Sequence, residues 1–282
     1  MKGDIKPLFP YAGGKRSSLP MIAPYLQRTA TYVEPFFGAG AVFCYMVNMS
    51  RAKNFVINDI RSEITDIYRA VRDNANEMIS ESQCLVSEYI AKDAGGREAL
   101  YYEVRDSWNR CGSPAKALFL LNTNFGGLFM VNKHTGVYNT ASGHSRFDNR
   151  KMLSIDADNI LGWSKALNAT EIITGSYINA KIPDNDTIIF CDPPYRNTGF
   201  GYELEFSEQD QIGCFNWCNN KAMSKHVSVI LTNNDTGNFF SNLAVGAPVK
   251  TLKYDISYSG GEATKSSEMV MVWNEKKSHL IK

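Results

Sequence analysis

Asp192-Pro193-Pro194-Tyr195 joins a carboxylate, two prolines and an aromatic ring directly after a short apolar run, Thr187 to Cys191 (TIIFC), that reads as a buried strand. The prolines fix φ and carry no N–H, so this stretch is rigid and presents carbonyl acceptors. Asp192 adds a charged acceptor and Tyr195 a flat face. A planar ring bearing an exocyclic amine suits such a pocket: the ring stacks while its N–H bonds point at Asp192 and the Pro193 carbonyl. A strand-ending turn would use the same residue types, since Asp and Pro are common turn formers. Two motifs upstream favour the chemical alternative.

The first, Glu34-Pro35-Phe36-Phe37-Gly38-Ala39-Gly40, follows a strand and opens a helix. Glycines there let the backbone pass close to a ligand, and open α/β sheets bind ligands beyond the carboxyl ends of their strands. The third glycine of the dinucleotide fingerprint is missing, and no GxxxxGK[ST] run is present, which disfavours NAD and ATP. Asn58-Asp59-Ile60 ends the next strand, about 20 residues beyond the glycine turn, where an acidic side chain can accept hydrogen bonds from both ribose hydroxyls. A helix N-cap is the other role open to Asp59. The second motif, Tyr11-Ala12-Gly13-Gly14-Lys15, sets an aromatic, a flexible turn and a cation just before a helix, and could fold over a nucleoside and its charged tail.

The elements that must position these residues alternate. Strand-like runs at Thr31–Pro35, Asn54–Ile57, Glu171–Thr174, Thr187–Cys191 and Val227–Thr232 are separated by helical patterns, among them Ala41–Met49 and Ser207–Ser224. Such alternation predicts a parallel α/β sheet. Val249–Tyr258 and Glu268–Trp273, separated by a glycine-containing loop at Ser259–Ser267, predict a closing hairpin with an antiparallel last strand. Between Asn74 and Asn168 the strand signal disappears, and helical patterns occupy Glu77–Ala91, Gly96–Arg110 and Pro114–Asn124. A mainly helical insertion therefore divides the sheet domain, residues 1–74 and 169–282, from an inserted domain at 75–168 that ends in a polar loop from Phe125 to Arg150.

At 282 residues, with 44% hydrophobic and 12% aromatic content, the chain can bury a sizeable core. No apolar run reaches membrane-spanning length, and the N-terminus MKGDIKPLFP lacks a signal-peptide apolar region, so a cytoplasmic protein with no membrane partner is expected. The six cysteines form no CxxC pair and the four histidines no HExxH array, so reduced thiols and no metal are expected. A net charge of +1 does not advertise a nucleic-acid partner, but its distribution is uneven. Met1 to Arg28 holds five basic residues and one acidic; Met130 to Lys151 holds Lys133, Arg146, Arg150 and Lys151 against Asp148 alone.

The ordered set AGGK, VEPFFGAG, NDI, a long insertion and DPPY resembles the Dam-type, D12 class DNA N6-adenine methyltransferases, the alpha arrangement of amino-methyltransferases. Leu121-Asn122, Ser228–Thr236 (SVILTNNDT) and Ser259-Gly260-Gly261 extend the similarity over nearly the whole chain. The resemblance implies S-adenosylmethionine (SAM) as methyl donor, S-adenosylhomocysteine as product, and duplex DNA as partner. It also implies a Rossmann-like methyltransferase sheet with a mostly helical target-recognition domain. By motif, Tyr11, Ala12, Gly13 and Lys15 would line the SAM site, and Glu34, Pro35, Phe36, Gly38, Ala39 and Gly40 would accommodate its methionine part. Asp59 with Ile60 would hold the ribose, and Ser176-Tyr177 would lie near the SAM adenine. Asp192, Pro193, Pro194 and Tyr195 would receive the target adenine, which must flip out of the duplex. Asn122, Asn124, Lys133, Arg146, Arg150 and Lys265 are the expected DNA contacts. N4-cytosine methylation, adenine methylation of structured RNA, and an inactive DNA-binding relative are the competing functions.

One stretch departs from the GATC-specific members, which read guanine with an arginine in the segment after the LN motif. Here that segment is Leu128-Phe129-Met130-Val131-Asn132. A bidentate arginine–guanine contact supplies about 1–3 kcal/mol of discrimination, which apolar side chains cannot reproduce. Methylation of a randomised duplex library is therefore expected to give a relaxed or different adenine-containing site; strict confinement to GATC would contradict this.

Overall fold

The computed structural model describes residues 3–132, 134–143, 153–196, 206–257 and 265–275. Its strands are β1 (Thr29–Glu34), β2 (Ala52–Asp59), β3 (Thr170–Thr174), β4 (Thr187–Cys191), β5 (Val227–Asn234), β6 (Val249–Ser257) and β7 (Lys265–Trp273). They form one seven-stranded sheet in the order β3-β2-β1-β4-β5-β7-β6. β1 to β5 pair in parallel, and β7 runs antiparallel between β5 and β6. The expected antiparallel last strand is present. Sequence pattern carries β1 on to Pro35, but the ladder stops at Glu34, because proline has no N–H to donate to it. The tail hairpin differs too: β7 begins at Lys265, so Lys265–Ser267 are strand and not loop.

Alternation within the strands explains the layering. In β4, Ile188 and Phe190 join a core on one face, while Ile189 and Cys191 join a second core on the other. Strands buried on both faces read as continuous apolar runs, as TIIFC does. The second core is closed by α8 (Glu208–Lys221) and α9 (Phe239–Leu243) through Cys214, Phe215, Cys218 and Phe240. Ser207 caps α8 with a full capping box: its hydroxyl accepts from the Asp210 N–H, and the Asp210 carboxylate accepts from the Ser207 N–H.

On the first face, α1 (Leu19–Ile22), α2 (Ala41–Asn48), α3 (Ser62–Asp73) and α7 (Ala157–Leu167) lie near the sheet. Three further helices, α4 (Ala75–Ile90), α5 (Ala94–Arg110) and α6 (Pro114–Thr123), follow α3 in the chain and pack mainly on one another, on α3 and on α7. Residues 124–132 and 134–142 follow, joined by bridges Asn124–Ser142 and Val131–Tyr138. No helix among the described residues is long and apolar enough to cross a membrane.

Trp163 of α7 ties these layers together. It is fully buried, stacks on Phe43 of α2 at 5.1 Å, meets Tyr68 of α3 at 5.0 Å, and donates its indole N–H to the Lys6 carbonyl at 2.7 Å. Truncation to alanine removes that packing and leaves the Lys6 carbonyl with only its 3.0 Å bond from the Asn159 amide. Trp163→Ala is expected to destabilise the chain by about 3–5 kcal/mol in urea unfolding; an unchanged midpoint would show that α7 is dispensable to the core.

Candidate active site

Strand order reverses between β1 and β4, and the crevice at such a switch point is where open α/β sheets hold ligands. β1 delivers Glu34 and the glycine turn to one lip, and β4 delivers Asp192 to the other. The parallel register of Val33 opposite Ile189 brings the two ends side by side.

On the first lip, Gly38 and Gly40 adopt φ +52° and +66°, a region that favours glycine. A Cβ on Gly38 would stand 3.0 Å from the Tyr11 ring, so Tyr11 lies directly over the turn. Asp59 braces the turn from below: one oxygen accepts from the Gly38 N–H at 2.8 Å and the other from the Arg61 N–H at 3.0 Å. Asp59 is thus not the N-cap of α3, a position held by Arg61. Burial pushes its carboxyl above the usual range, and the two backbone donors oppose the rise. The neighbouring Asn58 side chain donates to the carbonyls of Pro35 and Gly175 at 2.9 Å each, clamping the lips of β1 and β3. Phe36 stacks on Tyr177 at 5.1 Å, while Ile60 is 54% exposed at the rim. Glu34 lies within electrostatic reach of Asp192 and Lys15. It is buried, accepts from the Tyr32 hydroxyl at 2.8 Å, and has its carboxyl pushed well up by burial.

On the second lip, the N-terminal motif meets the DPPY segment. Gly14 N–H donates to the Tyr11 carbonyl and closes a turn with Gly13 at φ +79°. That turn sends Lys15 inward, where Nζ lies 2.7 Å from Asp192 Oδ2, 2.9 Å from the Gly13 carbonyl and 4.6 Å from the centre of the Tyr195 ring. Lys15 is buried, whereas the Asp192 side chain keeps 18% exposure and stays open to a partner. The Thr232 hydroxyl donates to Asp192 Oδ1 at 2.8 Å. Burial raises the Asp192 carboxyl, Lys15 and Thr232 oppose that rise, and buried Glu268 adds to it. Glu268 accepts from the Ser18 hydroxyl at 3.0 Å.

Thr232, Asn233, Asn234 and Gln211 all support this lip, and sequence reasoning gave none of them a role. The segment SVILTNNDT was the available signal, since three consecutive polar side chains at a buried strand end require partners. The expected DNA contacts fare differently. Asn124 is buried with its amide spent on the Leu128 carbonyl and the Tyr138 hydroxyl, and its oxygen accepts from the Gly127 N–H. Asn124 therefore braces the loop. Asn122 donates to the carbonyls of Leu8 and Leu118. Lys133, Arg146 and Arg150 lie outside the described residues, as does the Ser259-Gly260-Gly261 loop. Lys265 opens β7 opposite Ser257. Four cysteines are buried and two, Cys84 and Cys111, are exposed. Among the described residues no group of three or more His, Cys, Asp or Glu is arranged to hold a metal.

Removing Lys15 would leave Asp192 without its cation. Asp192 would then hold a proton to still higher pH, and its ionisation above that point would leave a largely desolvated, unpaired charge. Lys15→Met is expected to cost little at low pH and progressively more as pH rises, toward about 3–5 kcal/mol once Asp192 ionises. Urea unfolding across pH 5–9 checks this at roughly unit steps; a loss independent of pH would mean the pair is not the coupled unit described.

Comparison with known proteins shows the family. Residues 11–256 match the family described as D12 class N6 adenine-specific DNA methyltransferase. The chain is 29% identical over 267 residues to the type II methyltransferase M.MjaIII of Methanocaldococcus jannaschii, covering 88% of this chain and 90% of that protein. It is 28% identical over 253 residues to the type II methyltransferase M1.LlaDCHI of Lactococcus lactis subsp. cremoris, covering 83% of each. With the DNA adenine methylase of Salmonella typhi it shares 27% identity over 275 residues, 93% of both chains. The Lys15–Asp192 contact joins the two ends of the matched region's motif set, and the chain belongs to the D12 class of N6 adenine-specific DNA methyltransferases.

Proposed function

We propose that the β1–β4 crevice holds S-adenosylmethionine and that Asp192 to Tyr195 hold an adenine flipped from duplex DNA. The observation that carries this reading is the Lys15–Asp192–Tyr195 constellation, which brings a cation, a carboxylate and an aromatic face to the mouth of the crevice. The residues present fit the donor. Asp59 is oriented by two backbone N–H groups and keeps acceptor capacity for ribose hydroxyls, since a carboxylate offers about four lone-pair sites. Asn58 Oδ1 is a buried acceptor without a hydrogen-bond partner beside the same crevice. The turn Glu34 to Gly40 would take the methionine part, under Tyr11 and Lys15. Phe36, Ile60 and Tyr177, with Ser176, offer apolar surface for its adenine.

When bound, that donor supplies an electrophilic methyl on a sulfonium. The chain's own task is to hold and polarise the nucleophile. The adenine amine is a poor nucleophile because its lone pair is delocalised into the ring. Donation of its N–H bonds to Asp192 and the Pro193 carbonyl favours a pyramidal nitrogen and stabilises the positive charge that develops there. Pro194 is not the second acceptor in this scheme, because its carbonyl already accepts from Gln211 Nε2 at 2.8 Å. The Lys15 pair and the Thr232 hydroxyl fix the carboxylate, so little reorganisation accompanies the reaction. Stacking on Tyr195, about 1–3 kcal/mol by analogy with other base–aromatic contacts, offsets part of the cost of flipping.

We further place target recognition on α4–α6 with the 124–143 segment. Phe125 and Val137 are exposed there at 53% and 42%. The helix α7 belongs with the catalytic layer in this division, because Trp163 packs on α2 and α3.

Two substitutions separate the roles. Asp192→Ala is expected to lose nearly all methyl transfer while the protein still folds and binds SAM; near-normal turnover would reject the assignment. Asp59→Ala is expected to weaken SAM binding by about 1.5–3 kcal/mol, the range for a hydrogen bond to a charged group. Calorimetry with unchanged SAM affinity would leave Asp59 only its role of bracing Gly38.

A further inference from the structure

Behind the DPPY segment runs a buried chain of amide hydrogen bonds that the chemistry above does not use. Gln211, on α8, is fully buried and donates from Nε2 to the Pro194 carbonyl at 2.8 Å. Its Oε1 accepts from Asn233 Nδ2 at 3.0 Å. Asn233 is also fully buried, and its Oδ1 accepts from the N–H groups of Asn234 at 2.9 Å and Arg196 at 3.4 Å. Asn234 Nδ2 then donates to the Arg196 carbonyl at 2.6 Å. Each amide has one orientation that satisfies the chain, because Pro194 offers only an acceptor and the Arg196 N–H only a donor. One end grips the backbone between the prolines and Tyr195, and the other grips the residue just after the ring.

The prolines stiffen φ but leave ψ free to turn the Pro194 peptide and swing Tyr195. A fixed hydrogen bond to the Pro194 carbonyl removes that freedom. A buried amide satisfied for stability alone has no need to end on this carbonyl, yet this chain spans α8, β5 and both sides of Tyr195. We propose that Gln211 and Asn233 are positioning residues, which touch neither substrate nor donor but lock the Pro194–Tyr195–Arg196 backbone in the conformation that aligns the target amine. This rests on the assignment of the adenine site to Asp192–Tyr195.

Three substitutions vary the lock at nearly constant volume. Gln211→Glu keeps the shape but removes the donor to Pro194, and Gln211→Met removes all its polarity. Asn233→Asp keeps the acceptor for Arg196 but loses the donor to Gln211, whose amide then turns its oxygen toward Pro194. Misalignment of about 1 Å lowers turnover by as much as 100-fold, so kcat at saturating DNA and SAM is expected to fall roughly 10–100-fold. SAM affinity by calorimetry is expected to stay within about twofold, and the Gln211→Met/Asn233→Asp pair to lose no more kcat than its worse single member. Variants that bind SAM normally and turn over within about twofold of the parent overturn the proposal. Loss of SAM binding or folding in step with kcat in all three also overturns it, since the amides would then serve stability alone. Absence of adenine methylation by the unsubstituted protein would instead reject the assignment of the adenine site.

Discussion

A lysine and an aspartate far apart in the sequence meet at 2.7 Å, and the proposed catalytic geometry hangs on that contact. Desolvating two charges is costly, and a buried pair is weak as a source of net stability. What it supplies is direction. Lys15 is held by the Gly13 carbonyl and the face of Tyr195 as well as by Asp192, and Asp192 is held on its other oxygen by Thr232. Each carboxylate oxygen therefore has one fixed partner and spare acceptor capacity. In the proposed role, a carboxylate that accepts an amine N–H without reorganising benefits from that state.

The N-terminal segment that carries Lys15 also touches the helical unit, the glycine turn and the DPPY segment. The Leu8 carbonyl accepts from Asn122 at the end of α6. A Cβ on Gly127 would come 2.6 Å from the Pro10 carbonyl, so the loop after α6 packs directly on this segment. Tyr11 covers Gly38, and Lys15 reaches Asp192. Eight residues thus connect the helical unit, the glycine turn and the DPPY segment. Because cores are close-packed, a shift at any of these contacts is passed to the others.

The candidate site residues stood out in the sequence because their types are unusual for their surroundings. A charged residue and two prolines ending an apolar strand, and an acid ending its neighbour, need an explanation that a core does not give. Strand alternation pointed to the sheet, and a missing strand signal marked the run of helices between β2 and β3. The supporting shell was not legible. Gln211 and Asn233 read as ordinary polar residues, and only the folded chain brings α8 against β5 to join them. The partners of Asn124 were equally hidden: a polar residue in a loop gives no sign that its amide binds the Leu128 carbonyl and the Tyr138 hydroxyl. Spacing along a chain reports faces of elements, while partner identity depends on packing between elements distant in sequence.

The central claim is that this site transfers a methyl group to the exocyclic nitrogen of adenine in duplex DNA. Nucleoside mass spectrometry of duplex DNA incubated with the purified protein and methyl-labelled SAM tests it most directly. The account predicts labelled N6-methyladenine in the duplex, with cytosine unlabelled and matched structured RNA unmodified. Label on N4 of cytosine, label confined to RNA, or bound SAM with no label transferred would contradict it.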